Sequence, residues 1–445
     1  MADAVAAVAG ALRPVPRAAQ AVLAVSGGPD SVGMAQLVTA ARPDLRCVVV
    51  HIRHGLRDDA ADAAAALQNA EGLGLPGHVI GVDVARTGSG PEDAARRARW
   101  SALARAATEA GAAFILTGHT ADDQAETVLL NMARGTGLAG LAGMPPVLTI
   151  GDGIRVVRPV LGLRRGVVRE VAVDAGLQLA DDPTNDDPRQ RRSRARHDLL
   201  PRLAALTGSG TDPVDSLTRL ARHARRDNDA LDAIAADELR RRAVRWGAVH
   251  AVTDRVLAGT HEAVATRVVR MLVCRAVPGA RPSEAVVTKL LRLADGQAAN
   301  LAGGIVASRG GGHLAVAAGH HRATERELTG ERLVMPEIGM ALRRDAGATR
   351  GVLPPWAPPR AAAMVRVDGA ESLLVRPRRS GDVVRTAQGV RSVARAMSAA
   401  GVPRIARDLV PVVEDAEGVL WVPGVAIRHA AAGASALRFE RWAGE

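Results

Sequence analysis

The sequence predicts an α/β protein. It should have a doubly wound, mainly parallel five-stranded sheet, followed by a helical second domain and a small mixed α/β C-terminal domain. Three observations predict this. Apolar runs of strand length alternate with stretches of helical length from Val22 to Ala175. Polar, glycine-bearing segments follow the first, second and fourth of those runs, at the edge where ligands collect in such sheets. The alternation then gives way to helical periodicity, which runs from Asp212 to about Leu293.

Val22, Leu23 and Val25 form a short apolar run of the kind that makes a buried parallel strand. Ser26-Gly27-Gly28-Pro29-Asp30-Ser31 ends it, and an amphipathic run through Val32, Met34, Leu37 and Val38 starts at once. Strands follow at Cys47 to Val50, His78 to Val82, Phe114 to Thr117 and Arg155 to Val157. Helices are expected at Asp58 to Leu73, Glu92 to Ala110, Asp123 to Arg134 and Arg164 to Ala175. A polar, proline-bearing stretch from Asp181 to Arg196 closes this part.

At 445 residues the chain holds two or three domains of roughly 100 to 200 residues each. The divisions fall at 1–205, 206–300, 301–370 and 371–445, the first catalytic, the second helical, the third a linker of uncertain fold and the last a small mixed unit. The net charge of +11 points to an anionic partner, nucleic acid before membrane. Arginine supplies nearly all of it, since Lys289 is the only lysine and there is no tyrosine, so part of the bias reflects coding composition. With 2% aromatics, a base-stacking platform is not expected. Cys47 and Cys274 are too far apart in sequence pattern to form a zinc or redox pair and read as buried thiols of a reducing compartment. The alanine-rich N-terminus, broken by Arg13, Pro14 and Pro16, fits neither a signal peptide nor a membrane span. A cytoplasmic protein is expected.

The hexapeptide from Ser26 to Ser31 has the chemistry of a phosphate cradle. Two glycines admit an anion close to backbone N–H groups, two hydroxyls add donors, and a helix start adds positive dipole. Asp30 would repel that anion unless a divalent cation stood between them, which suggests a magnesium nucleotide. Taken alone the segment could equally be a tight turn with a cap, and it lacks the Gly-Lys-Ser/Thr ending of a Walker A loop. In Gly118 to Thr127, His119 occupies the turn, Asp122 or Asp123 caps the helix, and Asp123 and Glu126 share one helix face. Paired carboxylates there can hold a metal, orient an amine or take its proton, whereas the plain alternative is a cap and a solvated face. His51 and His54, with Arg53 and Arg57, suggest nucleotide contact at the end of the second strand. Arg189, Arg191, Arg192, Arg194 and Arg196 form a basic segment able to clamp phosphates, although such runs are often only solvated.

In order along the chain stand S-G-G-P-D-S, H-I-R-H-G-L-R, P-E-D-A-A-R-R-A-R-W, G-H-T-A-D-D-Q-A-E-T, Arg134-Gly135, Arg158-Pro159, D-D-P-T-N and R-S-R-A-R-H-D-L-L-P. The first resembles the signature of the PP-loop ATP pyrophosphatases, and the ordered set resembles the tRNA(Ile)-lysidine synthase family from Leu23 to about Leu203. Arg376 to Asp382, Pro403, Arg407, Pro411 and Trp421 to Gly424 are similar to the C-terminal domain of that family's long form. The resemblance implies a ligase that activates the wobble cytidine of the CAU anticodon of tRNA(Ile) with ATP and then joins free lysine to C2, changing the codon read from AUG to AUA. It implies ATP contacts at Ser26, Gly27, Gly28, Pro29, Asp30, Ser31, His51 and His54, with Asp30 on Mg2+. Asp30, His119, Asp123, Glu126, Arg192 and Arg196 would be catalytic. Arg192, Arg194, Arg196, Arg222, Arg225, Arg378 and Arg407 would touch tRNA. A homodimer stays open. Ser193 departs from the family by standing where an asparagine is usual, and Trp100 stands where tyrosine is common. The competing readings are a tRNA thiolase, which needs paired cysteines, and a nucleotide-gated tRNA-binding protein without chemistry.

Overall fold

The computed structural model describes residues 1–53, 60–82, 91–151, 153–180, 190–207, 210–345, 364–367, 372–429 and 435–442. His54, Gly55, Arg57, the D-D-P-T-N turn and Arg189 lie outside the described residues. The chain divides into two compact units, Met1–Asn228 and Asp229–Glu445.

The first unit runs α1 (Ala2–Ala11), β1 (Gln20–Ala24), α2 (Pro29–Ala41), β2 (Arg46–Arg53), α3 (Ala60–Gly72), β3 (Gly77–Gly81), α4 (Pro91–Glu109) and β4 (Phe114–Thr117). It continues with α5 (Ala121–Met132), α6 (Leu138–Leu141), β5 (Val147–Ile150), β6 (Ile154–Val157), α7 (Arg165–Asp174), α8 (Arg191–Arg194) and α9 (Leu200–Thr207). A π-helical turn, Ala195–Leu199, joins the last two, and α10 (Pro213–Arg242) carries residues of both units. The strand order is β3-β2-β1-β4-β6-β5, parallel except for β5. The sheet therefore has six strands where the sequence suggests five. β5 escapes sequence reasoning because it is an antiparallel edge strand whose residues Leu148 and Thr149 are exposed, so it lacks the apolar run that betrays a central strand.

β1 lies at the centre, pairing Val22 with Val48 on one side and with Ile115 on the other. Both faces of β1 are covered. Leu23 and Val25 pack with Val32, Leu37, Leu116 and Val168, whereas Val22 packs with Val50, Leu103, Ala107 and Ile115. Burying each such side chain contributes about 1.5–3 kcal/mol, and burial on both faces explains why β1 reads as a continuous apolar run. Chain order reverses between β1 and β4, which makes their carboxyl ends the switch point where such sheets bind ligands.

Two glycines set the spacing there. A Cβ on Gly33 would lie 2.1 Å from the carbonyl oxygen of Val168, so only glycine lets α2 and α7 approach this closely. A Cβ on Gly118 would lie 2.6 Å from the Asp30 carbonyl oxygen and 2.7 Å from Ser31 Cα. The turn after β4 is thus packed on the loop after β1.

In the second unit the stretch expected to be wholly helical contains a hairpin, Ala243–Trp246 and Val249–Thr253, turned at Gly247 with φ of 58°. It is short and follows without a break on the helix Pro213–Arg242, so the helical period runs up to its first residue. The hairpin belongs to a five-stranded antiparallel sheet with Ala298–Leu301, Ile305–Gly310 and His313–Ala318. Val268, Leu272, Val273 and Leu290 from the helices Glu262–Ala276 and Glu284–Leu291 share a core with Val252, Leu314 and Val316 of this sheet. Three further sheets follow, of five, four and two strands, and Trp421 and Phe439 meet there with ring centroids 5.2 Å apart. Among the described residues of 301–370, much is therefore strand rather than linker. Among the described residues, no helix is long and apolar enough to cross a membrane.

Candidate active site

The loop after β1 is built from the residues that suggested it. Gly27 takes φ of 88°, and Gly28 is the N-cap of α2 with Pro29 at the first helical position. Ser31 Oγ donates to the Gly28 carbonyl at 2.9 Å and accepts from the Ser26 amide at 3.1 Å, while Ser26 Oγ lies 3.1 Å from it. Ser31 thus holds the loop's own shape. His51 is buried with Nδ1 3.0 Å from the Val25 carbonyl oxygen, which ties the end of β2 to the strand beneath the loop.

Across the switch point, the N-cap of α5 is Thr120, not Asp122 or Asp123. A threonine with an acid three residues on forms a capping box, and Asp123 is that acid. Asp123 Oδ2 accepts from the Thr120 amide at 2.8 Å and from its hydroxyl at 2.9 Å. This leaves Oδ1 facing the loop side. Cap and candidate chemistry, posed as alternatives by the sequence, fall on different oxygens of one carboxylate. Glu126, one turn on, is fully buried rather than on a solvated face.

The two halves meet on a side chain that no sequence motif singles out. Arg165, in the first turn of α7, donates from Nε to Asp30 Oδ2 at 2.9 Å and from Nη2 to Asp123 Oδ1 at 2.9 Å; its Nη1 lies 3.6 Å from Glu126 Oε1. Arg196 Nε donates to the same Glu126 oxygen at 2.9 Å, and Arg192 Nη1 stands 3.9 Å from Asp123 Oδ1. Asp30, Asp123, Glu126, Arg192 and Arg196 are thereby gathered with Arg165 at the carboxyl edge of the sheet. One signal for Arg165 is available: a cation at a helix N-terminus opposes the macrodipole, so Arg164-Arg165 at the head of α7 needs partners elsewhere. Arg164 has them too, bonding Asp122 at 3.3 Å and Asp212 at 2.5 Å.

Burial pushes the Asp30 carboxyl above its usual range, and the Arg165 charge only partly offsets this. Burial acts the same way on Asp123, but Arg165 and the Thr120 amide outweigh it and the pKa falls. His119 is half-buried, with Nδ1 2.9 Å from Thr117 Oγ1. Desolvation brings its pKa down to about 4 against the opposing pull of Asp123, so the ring is neutral at pH 7. Two buried oxygens, Asp30 Oδ1 and Glu126 Oε2, have no hydrogen-bond partner among the described residues. Buried acceptors without donors are costly, so both fit a site that receives cations. Asp30 alone suits Mg2+, which takes one or two protein carboxylates and draws its other ligands from phosphates and water.

The arginines expected on tRNA divide. Arg194 and Arg222 are exposed. Arg225 instead donates to the backbone carbonyls of Ala142 and Met144, the latter at 2.7 Å, and fastens α10 to the segment after α6. Arg378 pairs with Asp408 at 2.8 Å, and Arg407 donates to the Val402 carbonyl at 3.1 Å. Ser193 is buried in α8. Cys47 is buried, which raises its thiol pKa to about 11, and Cys274 is exposed rather than buried as expected.

A doubly wound sheet with a glycine loop at its switch point and acids facing that loop defines an ATP-using enzyme of the PP-loop class, and the PP-loop domain family matches residues 4–203. The TilS substrate C-terminal domain matches residues 373–440. The tRNA(Ile)-lysidine synthase of Salinispora arenicola is 42% identical over 237 residues, covering 52% of this chain and 70% of that protein. That of Leifsonia xyli is 42% identical over 273 residues, covering 59% and 79% respectively. Among solved structures, the U34-tRNA thiolase NcsA from Methanococcus maripaludis with its 4Fe-4S cluster matches at 20% identity and TM-score 0.43, over 50% of this chain and 78% of that one. The chain belongs to the tRNA(Ile)-lysidine synthase family.

Proposed function

We propose that the chain joins free L-lysine to C2 of the wobble cytidine in the CAU anticodon of tRNA(Ile), with ATP cleaved to AMP and pyrophosphate. The observation that carries this reading is the convergence of Asp30 with Asp123 and Glu126 across Arg165. It sets a phosphate loop against two acids suited to a cationic amine.

In the first step, O2 of the cytidine attacks the α-phosphorus and pyrophosphate leaves. In the second, the lysine ε-amine, having given up a proton, attacks C2, and AMP departs with that oxygen. Asp30, through its unpartnered Oδ1, would hold Mg2+, which when bound would supply positive charge against that of the phosphates. Phosphates would be received at Gly28 and the N-terminal end of α2, where the helix dipole is positive. Asp123 and Glu126 bind the ε-ammonium and stand ready to take its proton. His119, with a pKa of about 4, is a weak proton acceptor at neutral pH and orients the reacting groups instead. Arg192 and Arg196 balance charge on the phosphates. A thiolase reading has little support, because buried Cys47 and exposed Cys274 belong to different units. Free lysine, ATP and tRNA as substrates make the cytoplasm the expected compartment.

Transfer of radiolabelled lysine to tRNA transcripts tests the reading. Lysine-dependent AMP release is expected on tRNA(Ile) with a CAU anticodon and not on tRNA(Met) with the same anticodon. Equal labelling of both would overturn the specificity.

A further inference from the structure

Arg165 is surrounded by acid. Its Nε, Nη2 and Nη1 face Asp30, Asp123 and Glu126 in turn, at 2.9, 2.9 and 3.6 Å. The side chain is 22% exposed, so water screens these pairs only in part. Burial opposes its charge, but Asp123 and Asp30 outweigh that and hold the guanidinium protonated. On the lysine-ligase reading an ε-ammonium approaches the carboxylates of Asp123 and Glu126, and Arg165 already stands against one oxygen of each. Glu126 Oε1 carries Arg196 as well, at 2.9 Å, while Glu126 Oε2 is bonded to nothing among the described residues. An amine arriving here therefore competes with a resident cation for most of the acceptors it needs.

The same guanidinium is anchored through Nε to Asp30, in the first turn of the helix that opens from the phosphate loop. A triphosphate on that loop brings several negative charges beside Arg165, and arginine grips phosphate through paired N–H donors at least as well as it grips carboxylate. We propose that Arg165 is a positioning residue that orders substrate binding: it competes with lysine for Asp123 and Glu126, and nucleotide on the loop relieves that competition by drawing the guanidinium toward the phosphates. This rests on the lysine-ligase reading above and extends it. Lysine then binds well only where there is an activating nucleotide, and the acid pair is kept together and neutralised until that point.

The test is equilibrium dialysis of radiolabelled lysine against the full chain, with and without a non-hydrolysable ATP analogue and Mg2+. In the wild type the analogue is expected to tighten lysine binding by about tenfold or more, within the usual range of coupling between sites, and lysine should tighten the analogue by the same factor. Arg165→Gln should bind lysine more tightly than wild type in the absence of the analogue and should lose most of the coupling. A purely structural role predicts the opposite, weaker lysine binding throughout. Arg165→Lys keeps one charge but cannot bridge three carboxylates, and should retain part of the coupling. Equal lysine affinity with and without the analogue in the wild type would overturn the proposal, whatever the variants do. So would undiminished coupling in a folded Arg165→Gln chain. A wild type that forms lysidine without such coupling sinks only this inference, whereas one that transfers no lysine to tRNA sinks the reading beneath it.

Discussion

Arg165 Nε donates to Asp30 Oδ2 at 2.9 Å, joining the first turn of α7 to the first turn of α2 across 135 residues of sequence. The bond places the phosphate loop's one acid and the acids of α5 on a single cation. Asp30→Ala removes the loop's carboxylate. It is expected to lower ATP-pyrophosphate exchange by about 100-fold or more, the scale of removing one electrostatic partner of a reacting phosphate. tRNA affinity in a filter-binding assay should stay nearly unchanged; its loss would give Asp30 a structural role.

Glu126 is fully buried and accepts from Arg196 at 2.9 Å. Glu126→Ala leaves Arg196 without that partner and weakens the hold on Arg165. The variant should lose about 3 kcal/mol of stability, the cost typical of breaking a buried charge pair from one side. Urea unfolding measures this, and a change within about 0.5 kcal/mol would show that the carboxylate is not held as described.

His119 has a folded pKa of about 4, below the ordinary histidine value. Between those values the unfolded chain binds a proton that the folded one does not, so stability rises with pH through the window and is lost on acidification from about pH 6.5 toward 4. His119→Gln should flatten that part of the stability profile. Because Asp123 pulls the imidazole pKa upward against desolvation, Asp123→Asn should lower it further, read by NMR titration of the ring. An upward move would contradict the geometry.

Gly33 faces the Val168 carbonyl so closely that an added Cβ would lie 2.1 Å from it. Gly33→Ala must push α7 from α2, and Arg165 rides on α7. A destabilisation of about 1–3 kcal/mol is expected from overpacking. In the folded fraction, lysine transfer should fall more than tRNA binding does, because the displaced group serves the acids rather than the RNA.

Arg194 and Arg222 are exposed, whereas Arg225 is committed to the Ala142 and Met144 carbonyls. Alanine at either exposed position should weaken tRNA binding and reduce the slope of log affinity against log salt by about 1 for each phosphate that is no longer neutralised. Arg225→Ala should lower thermal stability, with any fall in tRNA affinity leaving the salt slope in place.

The centre of the first unit is legible because β1 is buried on both faces and its loop needs glycine at Gly27, where φ is 88°. The pairing of Asp123 with Glu126 on one face follows from helix periodicity alone. Arg165 does not stand out, since its partners are 42 and 135 residues away and no local pattern carries such distances. Thr120 is hard to pick as the cap because the two aspartates after it are equally good candidates by residue type. The strands at Ala243–Trp246 and Val249–Thr253 hold Val244, Trp246, Val249, Val252 and Thr253, which favour strand, but they are short and follow without a break on the helix Pro213–Arg242, and packing against His313–Ala318 fixes them.

Arg164 and Arg165 are consecutive, and their guanidinium groups serve different clients: Arg164 grips Asp122 and Asp212, just ahead of α10, while Arg165 grips Asp30 and Asp123. The planar amide between them cannot stretch or fold. The segment that leads into the long helix and the acids beside the phosphate loop are therefore tethered to neighbouring residues of one short stretch of backbone at the head of α7.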